Sequence, residues 1–242
     1  MSTRLRFILG WAWIFIFFGL NNSLWAQKYE FETEFKMDNN TMLLYHFNQK
    51  GGDTLDSSNN HYNGLLGAGD EYVPQGKFGG AISFKEGSYG VNFSQEAISG
   101  EKGTIEMWFY VEKFASCQNV LLDFNRTEQN GFFLVAARKN IILYYKKAKL
   151  GVPYIVVNKD LEAKRWYHLA LTWNNESARI NLFLDGEKIG EAGHKFEPNG
   201  EAQPQMGSLG NLYGGSPNDY THYGMIDEFR ISNIERYKPT GF

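Results

Sequence analysis

The chain has 242 residues and a formal net charge of −3, which suits one ordinary globular domain with accessory segments and leaves two full domains cramped. A slightly acidic balance disfavours nucleic acid, which calls for a basic face, and an anionic membrane surface as partners. One cysteine, Cys117, excludes an internal disulfide, so packing must hold the fold; a buried bystander thiol is the expectation, an intermolecular bridge the rival. With 26 Gly against 6 Pro and 16% aromatic residues, the composition favours many strands and tight turns.

Residues 1–26 read as a signal peptide: Arg4 and Arg6 give a basic start, Phe7 to Leu20 an apolar stretch, and Ala26 a small residue before the cut. A retained membrane anchor is the rival, but the stretch falls short of the ~20 residues a spanning helix needs. No cysteine lies near the cut to carry a lipid. Loss of Arg4 and Arg6 moves the mature charge to −5, and Trp11, Trp13 and Trp25 leave with the segment. The mature chain is therefore expected in the periplasm, on the outer face of the envelope or outside the cell, with no integral membrane contact. Residues 27–41 are polar and aperiodic and are expected to form a mobile mature N-terminus.

From Met42 onward short apolar runs alternate with Gly, Asn and Asp, with no sustained helical period and no fixed repeat. Thr104 to Val111 places Ile105, Met107, Phe109 and Val111 on one face and Glu106, Trp108 and Tyr110 on the other. Trp166 to Trp173 is apolar on both parities, as a strand covered on both sides would be. Ala178 to Leu184 alternates cleanly, and the Asp185-Gly186 pair after it is a strong hairpin signal, because both turn positions want positive φ. Met225 to Ile231 gives a last strand with Phe229 and Ile231 inward, and by strict alternation Asp227 with them. Trp108, Trp166 and Trp173 are expected in the core. Short strands without helices must close as a sandwich or barrel, so the fold class is all-β.

The order of these segments resembles the bacterial laminin-G-like jelly-roll domains of the concanavalin A-like lectin and glucanase superfamily. The resemblance rests on Leu44-Tyr-His-Phe-Asn48, the Asp/Asn-rich loop Leu55 to Gly64, Gly76-Lys-Phe-Gly-Gly-Ala-Ile-Ser-Phe84, Thr104-Ile-Glu-Met-Trp108, Arg165 to Trp173, Leu182-Phe-Leu-Asp-Gly186 and Met225 to Ser232. It spans about residues 42–237. It implies a two-sheet antiparallel jelly-roll sandwich of six or seven strands a sheet, with the first and last strands side by side. It does not fix a function, because the same fold carries lectins, adhesion modules, glucanases and lyases.

No catalytic set emerges. Retaining glycosidases need two carboxylates ~5–5.5 Å apart, and no strand carries the alternating acids of the glucanase relatives; Met225 stands where an acid is required. His46, His61, His168, His194 and His222 form no metal motif, and His168 is expected as a packed histidine. Two binding sites are expectations. The resemblance implies a structural Ca²⁺ near the terminal strands, with Asp227, Asn48 and Asp56 as ligands; the alternative is that Asp227 caps local backbone N–H groups or pairs with an arginine. The stretch Gly207 to Gly224 offers Asn211, Tyr213, Asp219, Tyr220, His222 and Tyr223 for stacking and hydroxyl pairing with a sugar, against an ordinary turn-rich loop. The expected function is a non-catalytic binding module for a carbohydrate or an extracellular protein. The alternatives are a structural component of an envelope assembly, or a hydrolase or lyase with unrecognised machinery.

Overall fold

A computed structural model describes residues 31–114, 119–124, 130–147, 150–196, 206–211 and 221–237. The leader, Cys117, Tyr213, Asp219 and Tyr220 lie outside these residues. In chain order the strands are β1 (Thr41–Tyr45), β2 (Leu65–Leu66), β3 (Glu71–Val73), β4 (Ala81–Phe84), β5 (Val91–Ser94), β6 (Lys102–Val111) and β7 (Asn119–Phe124). They continue as β8 (Asn130–Ala137), β9 (Asn140–Lys147), β10 (Leu150–Asn158), β11 (Trp166–Asn174), β12 (Arg179–Leu184), β13 (Glu187–Ala192), β14 (Met206–Leu209) and β15 (Gly224–Ser232). The helix among the described residues is one 3-10 turn, Gln95–Ala97.

The strands form two antiparallel sheets. The first runs β13-β12-β11-β6-β15-β4-β3, and the second β10-β9-β8-β7-β14-β5-β2. Strand β15 pairs with β6 along one side; on its other side its first half meets β4 and its second half β1. First and last strands are thus neighbours, as expected for a jelly-roll sandwich. The eight strands of the first sheet exceed the expected six or seven because β1 and β4 share one side of β15; the second sheet has seven, and in it Met206–Leu209, within a stretch largely read from sequence as loop, pairs between β5 and β7.

Alternation builds the core. Ile105, Met107, Phe109 and Val111 of β6, Ile180, Leu182 and Leu184 of β12, and Phe229 and Ile231 of β15 face the second sheet's Leu122, Phe124, Phe132, Leu134, Ile141 and Leu143. Trp173 is fully buried among them. The Asp185-Gly186 turn between β12 and β13 has φ of 49° and 82°, the paired positive values that a two-residue hairpin requires.

Of the places where the register shifts, the one in β15 bears on the site. Asp227 pairs with Trp108 and Arg230 with Glu106, so two residues, Glu228 and Phe229, stand opposite Met107 alone. This bulge, with Glu228 at φ 52°, returns Phe229 to the core while Asp227 takes the outer face beside Trp108. The sequence expectation of an inward Asp227 is corrected by that one extra residue.

The expectation of a mobile 27–41 is also corrected over its described part. Residues 31–38 lie as a strap across the outer face of the first sheet. Phe35 is buried against Leu44 and Trp108, and Phe31 packs on Trp108, His168 and Tyr237. The backbone is pinned as well: Phe35 N–H donates to Glu228 Oε2 (2.6 Å), and Arg230 donates to the Lys36 carbonyl (3.3 Å). Polar composition suggested a free tail, but two phenylalanines four residues apart dock it.

Candidate functional site: an aromatic cleft at the open end of the first sheet

Outward residues of neighbouring strands form rows across a sheet, and two such rows matter here. The inner row, Asp227 of β15, Trp108 of β6 and His168 of β11, is covered by the strap and by the turn 76–80, whose Phe78 meets Trp108 edge-on and whose Lys77 ammonium sits 4.3 Å from the Trp108 ring. The next row, Ser83 of β4, Met225 of β15, Tyr110 of β6 and Trp166 of β11, is half-exposed. Tyr110 and Trp166 rings lie 5.4 Å apart.

A cleft of about 430 Å³ opens over this row, lined by Ser83, Lys85, Glu86, Tyr110, Glu112, Lys113, Tyr223 and Met225. Its floor depends on Gly224, where any Cβ would lie 1.8 Å from the Tyr110 carbonyl oxygen. Tyr223 is fixed through its backbone: Asn119 Oδ1 accepts its N–H (2.8 Å), and its carbonyl accepts from Glu112 N–H (2.8 Å). The Lys113 ammonium rests 4.4 Å from the centre of the Tyr223 ring. Lys164 pairs with Glu112 at 3.1 Å and Lys85 pairs with Glu71. Burial, and the Glu112 charge after it, push the Tyr110 hydroxyl up from its ordinary value, so this ring is a neutral donor and stacking surface.

Among the residues expected to touch a ligand, Tyr223 lines the cleft. Asn211 and His222 do not reach solvent; both are fully buried. Asn211 Nδ2 donates to the Ser88 carbonyl (2.8 Å), and the His222 N–H donates to the Gly210 carbonyl (2.7 Å). Burial holds His222 down to about 4, hence neutral. They support the cleft wall from inside. Tyr110, Met225 and Ser83 were missed, and the one sequence signal for them was Tyr110 on the outward parity of a strand. Trp108 and Trp173 are buried as expected, but Trp166 is half-exposed at the end of the row.

A second cluster resembles a reaction centre in residue types alone. Glu106 Oε2 meets His168 Nε2 (3.1 Å) and the Tyr237 hydroxyl (2.6 Å), and Arg230 donates to Glu106 Oε1 (2.8 Å). Glu106 and His168 are fully buried and the other two nearly so beneath the strap. His168 is the packed histidine the sequence suggested.

Of the three residues expected to hold calcium, Asp227 and Asn48 meet at one turn and Asp56 stands apart in another loop. Asp56 organises the loop 54–64, its carboxylate accepting from Leu44 N–H (2.9 Å), Ser58 N–H (2.8 Å), Ser58 Oγ (2.7 Å) and Tyr62 N–H (2.8 Å). Asp227 and Asn48 hold a different turn: Asp227 Oδ2 accepts from Phe78 N–H (2.9 Å), Oδ1 from Glu228 N–H (2.7 Å), and Asn48 Oδ1 from Gly80 N–H (2.6 Å). Burial drives the Asp227 carboxyl up to about 8 against the pull of these donors. Among the described residues no three His, Cys, Asp or Glu side chains converge, and Ca²⁺ also takes amide and backbone carbonyl oxygens. The capping alternative for Asp227 is the arrangement observed. Adding millimolar CaCl₂, or EDTA, is expected to leave Tm within about 1 °C; a rise of several degrees that Asp227→Ala abolishes would restore the metal.

On the opposite sheet, Phe133 of β8 and Tyr144 of β9 stack with centroids 4.4 Å apart on the outer face, beside Asp123 of β7. It is the second aromatic surface of the described residues.

A family model described as the concanavalin A-like lectin/glucanases superfamily matches residues 85–238. A search of curated proteins returns no match. Among solved structures, domain 4 of AbnA, a GH43 extracellular arabinanase from Geobacillus stearothermophilus, in complex with arabinotriose, superposes with TM-score 0.64 at 18% identity, covering 81% of this chain and 93% of that one. The binding domain of Paraclostridial Mosquitocidal Protein 1 gives 0.60 at 15%, and that of botulinum neurotoxin DC in complex with SialylT gives 0.59 at 13%; each covers 81% of this chain. The chain spans about half of those two toxin chains, 49% and 48%.

Proposed function

The chain belongs to the concanavalin A-like lectin/glucanase superfamily, and from that premise we propose that it is an exported, non-catalytic module that binds carbohydrate in the cleft of Tyr110, Tyr223 and Met225. The observation that carries the reading is the cleft itself, an open concavity whose floor is aromatic and apolar and whose rim is polar. Sugar rings present apolar C–H faces to aromatic rings and hydroxyls to a polar rim, so such a surface suits them. The ligands of the structural neighbours, arabinotriose and SialylT, support carbohydrate over protein as the partner. The leader-like residues 1–26 support export.

Two acids, Glu86 and Glu112, do line the cleft, which is the observation favouring a hydrolase as second reading. A general acid needs a carboxyl held up by a desolvated site. Glu112 is 54% exposed and paired to Lys164, and Glu86 is exposed. These are solvated carboxylates, suited to accepting hydroxyl protons in hydrogen bonds.

Binding to arabinotriose and to an array of linear and branched glycans tests the reading. A specific glycan signal is expected, with Tyr110→Ala and Tyr223→Ala each weakening it about fivefold or more, since a stacked ring contributes about 1 kcal/mol or more with its buried area. Tyr144→Ala on the other sheet is expected to leave it unchanged. Loss at Tyr144 with retention at Tyr110 would move the site to the second sheet. Release of reducing ends that Glu112→Gln abolishes would make the protein an enzyme.

A further inference from the structure

We propose that the cleft takes a neutral, linear glycan laid across the strands, with Trp166 as an outer stacking platform beyond the cleft proper. This rests on the carbohydrate reading and adds the ligand's charge, length and direction.

The direction follows from register. Ser83, Met225, Tyr110 and Trp166 are mutual cross-strand partners on β4, β15, β6 and β11, so they lie along one line at right angles to the strands. Three inter-strand steps of ~4.8 Å make that line ~14 Å long, more than one sugar ring occupies. The strap and the Lys77–Phe78 turn close the sheet on one flank. On the other stand Glu112, Lys113 and Tyr223. The opening is a trough rather than a socket.

The charge follows from the rim. Lys85 is neutralised by Glu71 and Glu112 by Lys164. Among the described residues that line the cleft, what remains is one cation, Lys113, engaged on the Tyr223 ring, and one anion, Glu86; on the flanking turn the Lys77 ammonium is engaged on the Trp108 ring. The described lining sums to zero, so it supplies no strong field to recruit a uronate or a sialylated chain, and either would bring a carboxylate against Glu86. A hydroxyl-rich neutral chain meets balanced donors and acceptors and a run of rings.

Trp166 has a function no motif marks. Its ring continues the Tyr110 surface past the cleft lining and is half-exposed, so it is placed to meet the third or fourth sugar of a bound chain and not the first.

The test uses arabino-, xylo- and cello-oligosaccharide ladders from two to six rings, an oligogalacturonide ladder of the same lengths, and sialyllactose. For the neutral series that binds, affinity should climb about tenfold between two and four rings and then level. Trp166→Ala should flatten that climb while leaving the disaccharide unchanged, and Trp166→Phe should restore most of it. Raising NaCl from low to high concentration should leave affinity within about twofold, since no ion pair forms. Preference for oligogalacturonide or sialyllactose with salt-sensitive binding overturns the neutral ligand. Length-independent affinity, or a Trp166→Ala loss equal at every length, overturns the trough while leaving carbohydrate binding intact. Silence from every ladder and from sialyllactose overturns both readings.

Discussion

Glu106→Ala will destabilise the protein by about 3–5 kcal/mol, the cost of breaking a buried ion pair by removing one partner. The expected loss is large because the carboxylate serves three hydrogen-bonding groups at once, with the Arg236 guanidinium also 3.8 Å from Oε1. Arg230 donates to Oε1 at 2.8 Å, while His168 Nε2 and the Tyr237 hydroxyl meet Oε2 at 3.1 and 2.6 Å, in a site from which water is excluded. Alanine leaves the Arg230 charge buried without its counter-ion. Glu106→Gln keeps the volume and part of the hydrogen bonding, so its loss should be smaller. The same group sets an acid limit. Burial alone would push its carboxyl up, but the Arg230 charge, then His168 and Tyr237, hold it down to about 2, against an ordinary value of 4.5. A depressed folded value means stability that is complete above about 4.5 and disappears as pH falls towards 2. Urea midpoints across that range should show a slope in the native protein that Glu106→Gln reduces. A Glu106→Ala midpoint within error of the native one would show that the cluster has no net role in stability.

The parts of this architecture that were legible in the sequence are those whose cause is local. The period-2 alternation of β6 and β12 is written in consecutive residues, and the Asp185-Gly186 hairpin in two. The parts that were not legible arise from register. A bulge moves Asp227 to the outer face because Glu228 and Phe229 share one partner, and no propensity of Ile-Asp-Glu-Phe announces it. The cleft is illegible for the same reason: Ser83, Tyr110, Trp166 and Met225 are far apart along the chain and meet because four strands happen to align them. Asn211 and His222 looked like ligand contacts because polar residues among glycines suggest an exposed loop. Backbone groups at a strand crossing need hydrogen-bond partners as much as a sugar does, and there they supply them. Asp227 with Asn48 shows the same rule, holding the turn 76–80 through amide N–H groups where the resemblance suggested an ion.

Phe35→Ala is expected to cost about 3–5 kcal/mol, in the range of large core truncations, although residue 35 belongs to no strand. Its ring is 4% exposed, fills the space over Leu44 and Trp108, and lies 4.3 Å from the Arg230 guanidinium. Its loss therefore removes apolar packing and also admits water to the Glu106 cluster, weakening every pair in it. The two substitutions should consequently not add. In a double-mutant cycle, Phe35→Ala combined with Glu106→Ala should fall short of the summed losses by at least about 1 kcal/mol, because the second change finds the cluster already disrupted. Hydrogen exchange gives the structural counterpart: Phe35→Ala should speed exchange of the Phe35 amide, held in the native chain by Glu228 Oε2 at 2.6 Å, while amides of β8 and β9 on the far sheet keep their protection. Strict additivity, or a Phe35→Ala cost below about 1 kcal/mol, would mean that the strap merely lies on the sheet. A coupled loss means that the sandwich is completed on this face by chain outside its strands, and that the row left uncovered beside the strap is where the first sheet presents its aromatic surface to solvent.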